Sequence, residues 1–462
     1  MSSAQRLILL REKLGFSQRD LAKEFDVSHG AIAQWEAGSR PVPGPINKLL
    51  ELYEGEANQG DMLALPQKIQ DASAFSIRNR VTETLVHQFV QLFAGSKGVV
   101  MKFAQLLSFI ELGLPEQLRN EFGDLALHGQ KMPFTKVRQI VNEQLKGNPE
   151  DIFAEFSVEP MAVTSLAQVH SARLHTGEDV VIKIQNPIIK DLLDKQFRNI
   201  EFMARIATLF AKQDSSLLED IKTRIYGECD YREEARQQMR FRNYWENDSQ
   251  VVIPKVFPEY STDCVLTSEL IRGVPLKVFS RVATQNQKNE AALTVHRFIA
   301  RSLFENGWLY GDAHPSNMVF LQGKVAFLDF GRIVEYTPEK LRIERQLMYH
   351  FLVEDFDKAK KMHLHLDSVR HPETFNFNEL WLFLDRQQTH YMRNLNFKFT
   401  RDHLIRLAMD ARQFSGRKQL KMDKWFFWAF FTHNSAFGIF ADLEAEAHWR
   451  AEVMKFLKPH VS

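Results

Sequence analysis

Seven residues, Gly311-Asp312-Ala313-His314-Pro315-Ser316-Asn317, are followed twelve positions after Asn317 by Asp329-Phe330-Gly331, and no other stretch constrains this chain as much. Between them, Asn317 to Leu321 and Val325 to Leu328, joined at Gln322-Gly323, read as a β-hairpin. The residue types suit one chemistry. Triphosphate oxygens need Mg²⁺, and magnesium takes hard oxygen ligands, here Asn317 and Asp329. Asp312 would orient or deprotonate an attacking hydroxyl or water. Asp-Phe-Gly alone is a common tripeptide and would read as a surface turn; the combined spacing carries the reading.

An aspartate, an asparagine five residues on, then Asp-Phe-Gly after a hairpin is the spacing of a protein-kinase catalytic loop and metal-binding strand. Upstream, Val180-Val181-Ile182-Lys183 places a lysine in a short β-branched strand after the Thr176-Gly177 turn. A lysine there is otherwise an edge residue reaching for solvent; with the downstream motif it is expected on the α/β-phosphates. Glu269-Leu270-Ile271, after the strand at Cys264 to Thr267, is the candidate hinge, where the backbone of Glu269 and Ile271 would meet adenine.

Four further stretches make residues 80–440 resemble the UbiB/AarF/ADCK family of atypical kinase-like proteins. Lys102-Phe103-Ala104-Gln105 is similar to its Lys-x-Gly-Gln motif. Ala162-Val163-Thr164-Ser165-Leu166-Ala167 resembles its alanine-rich nucleotide loop. Glu228-Cys229-Asp230 matches its Glu-x-Asp motif, with Glu234 at the family's spacing, and His314-Pro315-Ser316-Asn317 resembles its His-Pro-Gly-Asn. The resemblance implies an ATP- and magnesium-binding kinase-like fold. Ala162, Thr164, Ser165 and Ala167 would lie over the nucleotide, and Lys102 and Gln105 would point into a covered cleft with Glu228 and Asp230 as polar partners. Glu234 would be the partner of Lys183. Ordinary kinase spacing favours Glu201 for that role, eighteen residues after Lys183, and Glu228 is a third alternative; Glu234 is preferred because it stands together with Glu228 and Asp230. Ala104, Val163, Thr164, Tyr310 and Ser316 depart from the family pattern, but none removes a magnesium ligand or the lysine.

The first 54 residues read differently. Ser17-Gln18-Arg19-Asp20 is a capping-box pattern, Leu21, Ala22 and Phe25 face inward, and Ser28 caps a second helix over His29 to Glu36. A closing helix is expected at Ile46 to Tyr53. This block resembles the repressor-type (Cro/phage-repressor) helix-turn-helix. The resemblance implies that Gln18 touches phosphate while His29, Gly30 and Gln34 meet base edges in the major groove. Seven basic and seven acidic side chains leave the block uncharged, and phosphate neutralisation supplies most non-specific DNA affinity. DNA binding by one copy should therefore be weak, and a homodimer is the expected binding form.

The whole chain is equally balanced, with 59 Lys and Arg against 58 Asp and Glu over 462 residues, so no global basic field draws it to nucleic acid or anionic lipid. Two cysteines, Cys229 and Cys264, exclude a disulfide framework. The most apolar window, Trp425 to Ala441, is interrupted by Thr432-His433-Asn434-Ser435 and reads as a buried helix rather than a transmembrane segment. A cytoplasmic protein is expected, with peripheral contact to the inner membrane as the lesser alternative.

The expected fold is α+β: an all-α helix-turn-helix domain (1–57), a linker (58–76), a helical extension (77–125) and a bilobal protein-kinase-like body with a β-containing N-lobe (126–272) and a helical C-lobe (273–462). The leading functional expectation is a Mg-dependent atypical kinase or ATPase acting on a small molecule, a lipid-derived acceptor or water. The alternative is a transcriptional regulator whose kinase-like domain senses nucleotide or a metabolite without catalysis.

Overall fold

The computed structural model describes residues 2–13, 17–24, 29–42, 131–163, 166–187, 223–224, 226–414, 419–420 and 424–458. The expected helices at 46–53 and 77–110, the linker, Lys102, Ala104, Gln105, Thr164, Ser165 and Glu201 lie outside them. The chain divides into two compact units, Met1–His128 with Ile188–Leu218, and Gly129–Pro187 with Glu219–Ser462.

In the first unit, α1 (Ser3–Lys13), α2 (Gln18–Glu24) and α3 (His29–Glu36) bury Leu7, Leu21, Ala22, Ile32 and Trp35 at helical spacing. Glu36 ties the three helices together. Its carboxylate accepts from Arg11 Nε at 2.6 Å and from Gln18 Nε2 at 2.7 Å. Gln18, expected on phosphate, therefore has its amide nitrogen on a carboxylate of its own fold, because Glu36 is only 6% exposed and needs donors. His29, Gly30 and Gln34 are exposed.

The second unit begins with a sheet. β1 (Glu155–Phe156), β3 (Ala167–Arg173), β4 (Asp179–Gln185) and β6 (Val265–Glu269) run antiparallel in that order, and β2 (Ala162–Val163) pairs with β3. The period of two along β4 sorts its side chains. Val180, Ile182 and Ile184 are fully buried in a cluster with Val137, Ile140 and Val141 of helix α4 (Phe134–Leu145). Lys183 consequently points to the opposite face.

Helix α5 (Tyr231–Trp245) covers that opposite face, burying Tyr231, Glu234, Ala235, Gln238, Phe241 and Trp245. Tyr231 and Ala235 share a cluster with Ala167 and Leu266 of the sheet. The Asp230 carboxylate caps α5, accepting from the amides of Arg232 and Glu233 at 3.1 Å. Expected beside Lys102 and Gln105, it is thus occupied by the orphan donors of a helix start.

The helical half is organised by α6 (Leu276–Val282) and the 22-residue α7 (Gln285–Asn306), which starts on a Thr284–Gln287 capping box and ends at Gly307 with φ 74°. Against α7 lie β7 (Trp308–Tyr310) and the hairpin β8 (Met318–Leu321) to β9 (Lys324–Phe327). The short β5 (Val251–Val252) pairs parallel with β9, and β10 (Ile333–Glu335) pairs with β7. Phe327 stacks on Phe298 of α7 at 3.6 Å between centroids. Beyond these, α8 (Pro338–Leu352), α9 (Phe356–His365), α10 (Phe377–Gln387), α11 (Arg401–Gln413), α12 (Lys424–Asp442) and α13 (Trp449–Leu457) complete the lobe. The apolar window is α12, with Trp428 and Ile439 fully buried. Among the described residues no helix is long and apolar enough to cross a membrane.

Candidate functional site

Lys183 stands opposite Val169 and Leu266 in the sheet register, so its position is fixed from both neighbouring strands. Its Nζ donates to both Glu234 oxygens at 2.9 Å and lies 3.4 Å from Asp329 Oδ2 and 5.0 Å from the centre of the Tyr231 ring. Glu234 reaches it from the first turn of α5, where the helix dipole also favours a carboxylate. Burial, with the Asp329 charge adding, pushes the Glu234 carboxyl up to about 7 against the pull of Lys183. Burial acts to lower Lys183, and the Asp329 and Glu234 carboxylates more than reverse it, so the ammonium titrates well above the usual lysine value.

Asp329 is anchored through its neighbour. Phe330 is 1% exposed, its ring centre 5.3 Å from Phe241 of α5 and 5.7 Å from Tyr310 of β7. The Gly331 amide donates to Asp329 Oδ1 at 3.0 Å. A Cβ on Gly331 would meet Asp329 Oδ1 at 3.3 Å, Glu234 Oε2 at 3.5 Å and Glu228 Cγ at 3.7 Å, so three acidic side chains converge on this glycine. Asn317 hangs from the other side of the hairpin. Its Nδ2 donates to the Asp312 carbonyl at 3.1 Å, and the Leu328 amide donates to the Asn317 carbonyl at 2.9 Å. Asp312, Asn317 and Asp329 are thereby fastened to one short piece of backbone. Asp312 is 8% exposed.

The nucleotide-side expectations fall as follows. Ala162 is exposed on β2 and Ala167 buried at the start of β3; β2 pairs Ala162 with Val169, and β3 pairs in turn with β4. At the hinge, the Glu269 amide and carboxylate are both engaged with the Lys255 backbone, at 2.8 and 3.1 Å, and the Leu270 amide donates to Asp179 at 3.0 Å. The half-buried Ile271 amide donates to no acceptor among the described residues. A cleft of about 830 Å³ opens here, lined by Met161, Leu270, Ile271, Val274, Phe279 and Phe320. It touches neither Lys183 nor Asp329, so it belongs to the hinge end and not to the carboxylate end.

The Glu228 carboxylate, expected as a polar partner of Lys102 and Gln105, accepts from a residue that sequence reasoning passed over, Arg332. The guanidinium is 1% exposed and also lies 3.7 Å from Asp312 Oδ2. The available signal was a basic residue directly after Asp-Phe-Gly and before apolar Ile333-Val334. Among the described residues no cluster of three or more His, Cys, Asp or Glu could hold a metal by itself. One aspartate and one asparagine, completed by phosphate oxygens and water, are nonetheless a magnesium donor set.

Comparisons with known proteins agree with this geometry. Residues 125–363, just over half the chain, match the ABC1 atypical kinase-like domain, and residues 7–54 match a helix-turn-helix. Atypical kinase COQ8, mitochondrial, of Saccharomyces cerevisiae is 27% identical over 292 residues, covering 62% of this chain and 58% of that one. Probable protein kinase UbiB of Pseudomonas fluorescens is 28% identical over 297 residues, covering 61% and 54%. The chain thus spans little more than half the length of these relatives. A Mycobacterium tuberculosis protein solved in complex with erythromycin superposes with a TM-score of 0.61 at 23% identity, over 84% of this chain and all of that one, which shows a shared fold. The chain belongs to the ABC1 family of atypical kinase-like proteins, related to UbiB and COQ8, and carries a Cro/C1-type helix-turn-helix at its N-terminus.

Proposed function

We propose that this protein binds Mg-ATP between its sheet and its helical lobe and transfers the terminal phosphoryl group to a small molecule, a lipid-derived acceptor or water. The observation that carries the reading is Lys183 held at 2.9 Å by Glu234 and at 3.4 Å from Asp329, an ammonium kept charged between strand, helix and metal-binding turn. Lys183 would neutralise the α/β-phosphates, Asn317 and Asp329 would hold the magnesium, and the Ile271 amide would donate to adenine. Bound magnesium would supply charge neutralisation at the phosphates. Asp312 would orient the acceptor hydroxyl or water. The alanine-rich segment from Ala162 to Ala167 would lie over the nucleotide. The test is a thermal scan: Mg-ATP should raise the melting temperature of the full-length protein, and chelation of the metal should remove most of the rise. No rise at millimolar Mg-ATP would sink the reading.

The exposed His29, Gly30 and Gln34 on α3 favour a second activity, DNA binding through residues 1–57. With the Gln18 amide nitrogen on Glu36, the phosphate contact expected of it would have to compete with that carboxylate. Removing residues 1–57 is expected to abolish retention of the protein on duplex DNA at low salt while leaving the Mg-ATP shift intact. Absence of retention by the full-length chain would end this part of the proposal.

A further inference from the structure

Two cations serve four carboxylates at this site, and they do so in the same way. Lys183 links Glu234, from the first turn of α5, to Asp329, the expected metal ligand. Arg332 links Glu228, just before α5, to Asp312, the expected acceptor-orienting group. Gly331 lies between the two sets, in reach of Asp329, Glu234 and Glu228 together.

We infer that Arg332 is a positioning residue for Asp312, an inference that rests on the phosphoryl-transfer reading above. Burying a guanidinium is costly unless carboxylates compensate it, so its placement needs a reason. Arginine–carboxylate pairs are frequently bidentate, with the fork spent on one carboxylate. Here Glu228 takes Nη2, and neither Nε nor Nη1 has a hydrogen-bond acceptor among the described residues. Nη1 stands instead 3.7 Å from Asp312 Oδ2, beyond a hydrogen bond but within an ion pair. The arginine itself is gripped. Its guanidinium carbon lies 5.3 Å from the Trp428 ring centre, and the Gly311 amide donates to its carbonyl at 2.8 Å. A Cβ on Gly311 would meet its Cγ and its carbonyl oxygen at 3.0 Å, so the loop just before Asp312 is pressed onto the arginine's stem. The fixed cation thus stands 3.7 Å from the Asp312 carboxylate, where a small turn of that side chain would complete a hydrogen bond. Catalytic hydrogen bonds are often long before the substrate complex forms and tighten within it. Arg332 sets the direction in which Asp312 turns.

The experiment combines kinetics with an unfolding cycle. Arg332→Lys keeps the charge and loses the fork. It should lower kcat by roughly ten- to a hundredfold, the loss expected for a misplacement of about 1 Å, with KM for ATP within about twofold of wild type. Placed on Asp312→Asn, it should change the residual kcat by less than about twofold, because there is no carboxylate left to position. Equal losses in both backgrounds, an unchanged kcat, or a rise in KM matching the fall in kcat would overturn the inference. Independently of turnover, Arg332→Met and Asp312→Asn should be non-additive by at least about fivefold in the unfolding equilibrium constant, with Arg332→Lys replacing Arg332→Met if that variant does not fold. Additive effects would overturn the inference even if the protein binds Mg-ATP. Coupled effects in a protein that shows no Mg-ATP shift would retain the Arg332–Asp312 link and discard the phosphoryl-transfer reading instead.

Discussion

Replacing Asp329 by asparagine is expected to erase the rise in melting temperature that Mg-ATP gives, while leaving the nucleotide-free protein as stable as the wild type or more so. The two halves of this result come from different contacts. Without nucleotide, Lys183 retains Glu234 through two 2.9 Å hydrogen bonds, so loss of the longer 3.4 Å contact does not strand it. Asp329 is also one of the charges that push the Glu234 carboxyl up to about 7, so its neutralisation lets that carboxyl fall and the Lys183 pair strengthen. An asparagine Oδ1 can still accept from the Gly331 amide, as Asp329 does at 3.0 Å, so the turn survives. With nucleotide, the variant lacks the charged magnesium ligand. A ligand at a hundred times its Kd stabilises by about 2.7 kcal/mol, and that is the quantity expected to vanish. Phosphate release should fall on the order of a thousandfold. A variant that keeps the full shift would remove Asp329 from the magnesium site, whatever its activity.

The parts of the fold that were legible in the sequence are those where spacing is enforced locally. The hairpin around Gln322-Gly323, the strand carrying Lys183 and the helix from His29 to Glu36 all follow from turn residues and periodicity within ten residues. Glu234 was the harder assignment, because 51 residues separate it from Lys183 and kinase spacing alone favoured Glu201. Its burial on α5, opposite the non-core face of β4, is a tertiary fact. Gln18, Asp230 and Glu228 show why side-chain roles carried over by resemblance need the structure. Each had a nearer claimant: the buried Glu36, the first amides of α5, and Arg332. Arg332 stood out in the chain only as a basic residue after Asp-Phe-Gly, and its partner could not be read there, because pairing across 104 residues leaves no pattern.

Acid should weaken the helical lobe strongly, and buried histidines that the nucleotide site does not use contribute to it. His296 and His390 are 4% and 1% exposed. Burial pushes His296 down to about 3, and it holds His390 well below the usual histidine range, with His296, His433 and His403 adding like-charge repulsion. His296 Nε2 lies 2.6 Å from the Tyr391 hydroxyl, whereas neither ring nitrogen of His390 has a hydrogen-bond partner among the described residues. Both rings are therefore neutral when folded and free to protonate near pH 6.5 when unfolded. The unfolded chain then binds more protons below pH 6.5, so this stability is fully present above that pH and is lost as pH falls toward the folded values. At pH 5 the loss is about 2 kcal/mol for each histidine, or about 4 kcal/mol for the pair. Glu234 acts with the opposite sign, since its raised value favours the folded state as pH falls below about 7. A difference measurement separates the two. The His390 ring packs against Tyr391, Phe399 and Phe437, at 4.1, 5.1 and 4.7 Å between centres, in a space that a phenylalanine ring also fits. His390→Phe removes two buried ring nitrogens without partners, so at pH 8 it should match or exceed the wild type in urea unfolding. Between pH 8 and 5 it should lose about 2 kcal/mol less than the wild type, while the Glu234 contribution cancels. Parallel stability curves for the two proteins over that range would show that His390 is not held neutral by the fold.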